Sequence, residues 1–170
     1  ALDLSKVTSA VVGGITISLN TALVSADLRL IPSTTGYVRM NSNTLLQTID
    51  LSSLTSCGTY FEFSGNPALK TVSAGSLATV GTTTAHYLQI LSNPLLETFD
   101  VSSLTTVSGP VSVTGVPLLN SIGAAALGNL VSVGNLVFTG TAVPALDLSK
   151  LAGAINNLKI QSNTALVSID

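Results

Sequence analysis

Six aspartates, Asp3, Asp27, Asp50, Asp100, Asp147 and Asp170, fall into one column of this chain. Ser73 and Gly123 fill the two gaps, at intervals of 24, 23, 23, 27, 23, 24 and 23 residues. A row of carboxylates at a fixed interval is what a calcium ladder or a line of general acids would require. Calcium takes about 6–8 oxygens converging on one point, and this spacing supplies one carboxylate per interval. Asp followed by Leu-Ser is also a turn signature, in which the carboxylate accepts the backbone N–H two residues on. The column therefore reads as a recurring bend.

The other groups that could do chemistry are few. Glu62 and Glu97 are the remaining acids and lie in different columns, so they do not form the pair at fixed separation that glycoside hydrolysis needs. Arg39, Glu62 and Lys159 share a position in the repeat but read as too dispersed to make a site. His86, in the stretch "GTTTAHY", has no second His or Cys beside it in the manner of a metal site, and reads as an exposed side chain in a surface bulge. Cys57 aligns with Val80 and Val107, as a small buried hydrophobe would. No enzyme activity, metal or cofactor is expected. Tyr37, Tyr60 and Tyr87, all the tyrosines of the chain, keep one phase in three successive repeats. They either stack to stiffen a sheet or form an interaction face for sugar rings or a neighbouring protein.

The elements that position these residues follow from the repeat. A paired apolar column runs Ile15/Ile17, Val38/Met40, Phe61/Phe63, Leu88/Ile90, Val111/Val113, Leu136/Phe138 and Leu158/Ile160. A spacing of two puts both residues on one face of a strand. Three residues later stand Asn20, Asn43, Asn66, Asn93, Val116, Thr141 and Asn163. The asparagines read as a structural ladder: an amide both donates and accepts, so it can satisfy a bending backbone and the amides above and below it. A unit of this length with one short strand cannot bury its own apolar face, so neighbouring turns must stack. The connections, such as "SSLTTVSGP", are rich in Ser, Thr and Gly and carry no helical stripe. The expected fold is all-β: a β-solenoid of about seven turns of 23–24 residues, spanning 1–170 as one domain, with a parallel strand column, an asparagine ladder and no helical connections. At ~4.8 Å per strand, seven turns make a rod roughly 34 Å long.

Composition narrows the function. Charged residues make up 8% of the 170 and the net charge is -2, which argues against nucleic acid, since phosphate binding relies on clustered Lys and Arg. Ser, Thr, Asn and Gly interrupt every apolar run before the roughly 18 residues of a spanning helix. The chain has no Asn-x-Ser/Thr sequon, although Ser and Thr are abundant enough to carry O-linked sugars.

The stretches "NTALVSID" and "LSNPLLETFDVSSLTTVSG", recurring over all seven turns, resemble the leucine-rich-like β-solenoid repeats of receptor L domains and of related cell-surface and cell-wall proteins of fungi, algae and other protists. That resemblance implies an extracellular, often glycosylated, non-enzymatic role, although the Cys-rich module and disulfide cap of the receptors are missing.

Neither "ALDLSK" nor "NTALVSID" reads as a polar cap, and setting Leu4 after Asp170 regenerates "SIDLSK" in register. The expectation is a structural repeat module of an extracellular filament, appendage or surface coat, partnered by itself head to tail or by adjoining repeats. The alternative is a recognition module that binds carbohydrate or protein along the tyrosine face.

Overall fold

The computed structural model describes residues 2–3, 13–123, 127–153 and 155–170. Its architecture is an all-β parallel solenoid of about seven turns with no helix among those residues. The longest sheet has seven strands, Ile15–Ser18, Val38–Asn41, Phe61–Ser64, Leu88–Leu91, Val111–Val116, Asn135–Thr141 and Asn157–Gln161, stacked in chain order. Every pairing is parallel and in the register of the repeat, so that Ile15 lies beside Val38, Val38 beside Phe61 and Phe61 beside Leu88.

Two further strand columns complete the early turns. Leu2–Asp3, Ser25–Asp27, Thr48–Asp50, Thr71–Ser73 and Thr98–Asp100 form a second parallel sheet, which carries the aspartate column. Ser33–Thr34, Ser56–Cys57, Thr79–Val80 and Thr106–Val107 form a third. The sequence marks only the longest column because the others are two or three residues long, too short for alternation to show.

The core lies between the sheets. The paired apolar column is buried from Ile15 through Phe138, and Phe61, Phe63 and Phe99 meet edge to face with centroids 4.9–6.1 Å apart. Burial falls in the last turn, where Leu158 is 50% exposed.

Three corners close each turn. After the long strand the backbone enters the left-handed region at Leu19, Ser42, Gly65, Ser92, Gly115, Gly140 and Ser162, with φ of 54–68°. A bend that only glycine adopts freely thus recurs in every turn. Next comes a tight turn, closed by the N–H of Leu46, Leu69, Leu96 and Leu119 donating to the carbonyl three residues back. Pro67, Pro94 and Pro117 occupy the position where a fixed φ suits such a turn. The aspartate corner follows: Asp50, Asp100 and Asp147 each accept the N–H two residues on, from Ser52, Ser102 and Ser149. The Ser149 hydroxyl, at 2.6 Å, and the Ser149 N–H together hold the Asp147 carboxyl below its ordinary value, and Arg29 does the same for Asp27.

Two turns are longer than the rest. Val80 pairs with Val107, and Tyr87 bonds to Phe61, which confines one insertion to the segment between Gly81 and Tyr87. The second insertion is the segment 124–126, outside the described residues. On one side of it Ser121 bridges Thr98, which sets Gly123 beside Asp100. On the other, Leu127 accepts from Leu130 as Val101 does from Leu104. Among the described residues no helix is long and apolar enough to cross a membrane.

Candidate functional site: a tyrosine, arginine and glutamate band

The polar features built most fully across turns are an amide ladder inside the solenoid and an aromatic band outside it. In the ladder, Asn43 Oδ1 accepts from both Nδ2 and the backbone N–H of Asn20, at 2.9 and 3.2 Å. Asn66 does this for Asn43, and Asn93 for Asn66, all at 3.0–3.1 Å. The amides also donate to backbone: Asn43 to Ile17, Asn66 to Met40 and Asn93 to Phe63. These three asparagines are completely buried, so an unpaired amide among them would cost about 1–3 kcal/mol. Above Asn93 stands Val116, which offers no side-chain acceptor, so Asn93 Nδ2 bonds only to the backbone carbonyls of Phe63 and Leu91. Asn163 resumes the pattern above Thr141, accepting its N–H and hydroxyl at 3.0 and 2.9 Å.

The band is built on the corner that precedes the long strand. Ladder bonds from Ile15 to Tyr37, Val38 to Tyr60, Phe61 to Tyr87 and Leu88 to Pro110 stack those residues in one column. Gly58, two residues before Tyr60, makes this corner possible, since a Cβ there would collide with the carbonyl oxygen of Thr35. Register then sets Arg39 beside Glu62 on the outward face, with Gln89, Ser112 and Val137 separating Glu62 from Lys159.

The Arg39 guanidinium lies 4.9 Å from the ring centroids of both Tyr37 and Tyr60, within reach of cation–π attraction to each. Tyr60 stacks on Tyr87 at 4.7 Å with a 40° tilt. Glu62, 15% exposed at its side chain, takes the Tyr87 hydroxyl at 3.0 Å on Oε2 and Asn41 Nδ2 at 2.8 Å on Oε1. Arg39 Nε stands 3.3 Å from the same Oε2, an ion pair more than an aligned hydrogen bond. Burial, together with the Glu62 carboxylate it donates to, raises the Tyr87 phenol above its ordinary value.

His86 differs from its sequence reading. It is half-buried, edge-on to Tyr60 at 5.4 Å and 85°, and its Nδ1 accepts the N–H groups of Thr82 and Thr83 at 3.0 and 3.3 Å. Those donors fix the ring proton on Nε2, so the insertion is a loop tied to the band by its own histidine. The dispersal expected of Arg39 and Glu62 is likewise corrected, because successive turns bring them into contact. Two sequence signals point to this: their opposite charges stand one turn apart at one position, and each follows a tyrosine by two residues.

Chemically, the band is neutralised from within. Both Glu62 oxygens and the Tyr87 hydroxyl are engaged, while the Tyr37 and Tyr60 hydroxyls have no partner among the described residues. Cys57 lies under the same corner, its Sγ 3.3 Å from Tyr60 O, and burial raises its thiol pKa. No group of three His, Cys, Asp or Glu side chains gathers among the described residues.

Comparison with protein-family models, with curated proteins and with solved structures finds no match.

Proposed function

We propose that this chain is a structural repeat module of an extracellular filament, appendage or surface coat. It would act by head-to-tail stacking or as part of a longer repeat array. One observation carries the reading: the polar side chains built most fully into the fold bond from one turn to the next. The amide ladder and the arginine between two tyrosines both tie neighbouring turns along the solenoid axis. Such groups resist shear and bending between turns, which is what a rod needs. The extracellular setting, and kinship with receptor L domains and wall proteins, rest on the repeat phrases alone. Electron microscopy of the native material tests the reading: rods or filaments with an axial repeat of roughly 34 Å support it, and isolated short particles overturn it.

A second reading, recognition of carbohydrate or protein along the band, is favoured by the hydroxyls of Tyr37 and Tyr60, which have no partner among the described residues. Their stacking presents ring edges more than faces, which suits hydrogen bonding to a sugar better than stacking on it. The double variant Tyr37→Phe/Tyr60→Phe keeps the stack and removes both hydroxyls. Loss of glycan or protein binding at unchanged melting temperature would support recognition, and unchanged binding would exclude it.

A further inference from the structure

The tight turns after the amide ladder stack tip upon tip and form an apolar ridge along the solenoid. Leu45, Leu95 and Leu118 are 42–48% exposed there, with Ala68 between Leu45 and Leu95. These residues sit at the tip of a turn whose next residue, Leu46, Leu69, Leu96 or Leu119, is fully buried. Inward packing is thus already served without them, and their alignment in successive turns makes the line a candidate contact surface.

The column beside the ridge shows what fits it. Gln47, Lys70, Glu97 and Asn120 are exposed and stacked in successive turns, each N–H bonding to the carbonyl of the turn before. Lys70 and Glu97 form no ion pair with any described residue. A two-fold axis passing between these two turns sets Lys70 opposite Glu97 of a second copy and Glu97 opposite its Lys70. It also faces Gln47 with Asn120, Leu45 with Leu118, and the small Ala68 with the large Leu95. An axis through the turn of Lys70 would face lysine with lysine, and one through the turn of Glu97 glutamate with glutamate. Charge therefore selects a single register, and a two-fold contact is self-complementary by construction.

We infer that two copies of this chain pair laterally and antiparallel through the ridge, with Lys70 and Glu97 as reciprocal ion pairs. This contact lies on the side of the rod and stands whether or not turns also stack end to end. The strip is roughly 20 Å long at ~4.8 Å per turn and falls short of the about 800 Å² per partner of a standard interface. The pair is accordingly weak in dilute solution, with a dissociation constant on the order of 0.1 mM.

Sedimentation equilibrium of the 170-residue chain over rising concentration tests this. The expected result is a monomer–dimer equilibrium. Lys70→Glu and Glu97→Lys should each weaken it about tenfold, and the double variant should restore it to within about threefold. Leu95→Asp should abolish it at unchanged melting temperature, and Leu118→Asp serves if that variant fails to fold. A chain that stays monomeric at about 1 mM, ten times the expected constant, overturns the inference. A dimer that the double reversal does not restore overturns the antiparallel register and with it the proposal.

Discussion

In the first four turns the left-handed bend is followed by an asparagine, and the long strands there have four residues. In the fifth and sixth turns Val116 and Thr141 take its place, and the strands run on to six and seven residues. The difference shows what the amide does. At Asn20, Asn43 and Asn66 the backbone N–H of the bend goes to the side-chain oxygen of the next turn's asparagine and the ladder stops. Where Val116 stands, the strand continues until Val116 itself pairs with Thr141. The second sheet differs too. It is continuous through Asp100, then reduced to a single bridge between Thr98 and Ser121. It resumes only as Ala145–Leu146 paired with Ser168–Ile169. A cleft of about 340 Å³ lies at the break, between Asn120–Gly123 and Val143–Asp147. The early turns are thus cross-linked on three sides, and the late ones rely more on their longest sheet.

The largest expected effect breaks that contrast directly. Asn66→Val should cost about 3 kcal/mol or more in chemical denaturation, because it strands buried partners above and below. Val116→Asn, which offers Asn93 the acceptor it lacks, should change stability by less than about 1 kcal/mol. Gly58→Ala should be comparably severe, about 3 kcal/mol, since the added methyl meets the Thr35 carbonyl. Gly153→Ala, in the last turns with nothing within 4 Å of its Cβ, should be close to neutral in the same assay.

Smaller effects sharpen the role of the band. Glu62→Ala leaves Tyr87, Asn41 and Arg39 without their shared acceptor and should cost about 1–2 kcal/mol, the site being half-buried.

Alkaline pH should weaken the early turns. Tyr87 and Cys57 have folded-state pKa values raised above the ordinary 10.0 and 9.0. Above those ordinary values the unfolded chain loses protons that the folded chain retains, so stability is complete below about pH 9 and declines above it. Melting curves of Tyr87→Phe and Cys57→Val should each show a shallower decline. Ser92→Gly relieves a left-handed serine. It should raise the midpoint of denaturation slightly, by about 0.5 kcal/mol after the added chain entropy of glycine is subtracted.

The solenoid was legible because its signals repeat. Seven apolar pairs at a spacing of two fixed the strand register, and the observed pairing follows it from Ile15 to Ile160. The left-handed corner was legible in principle, since Gly65, Gly115 and Gly140 share a column with Ser42, Ser92 and Ser162. Serine, however, does not announce a positive φ, so the column hides the bend. The second and third sheets were hidden by strands too short to alternate. The band was only half visible: the tyrosine phase showed in the sequence, but a guanidinium between two rings is a contact between turns, which spacing along one chain does not display. The histidine tie of Thr82 and Thr83 was missed because an insertion has no column to align with. The apolar ridge is not legible in the sequence for the opposite reason: Leu45, Leu95 and Leu118 each stand next to a buried leucine, and the pair carries a single core signal.

Native-state hydrogen exchange resolved by residue tests most directly the claim that bonds from turn to turn hold the rod together. If the amide ladder and the tyrosine band are the main ties, the amides of Val38–Asn41, Phe61–Ser64 and Leu88–Leu91 should exchange slowest, by global unfolding only. Those of Ala145–Leu146 and Asn157–Gln161 should exchange faster, through local opening. Equal protection across all seven strands, or greater protection in the late turns, would contradict that account.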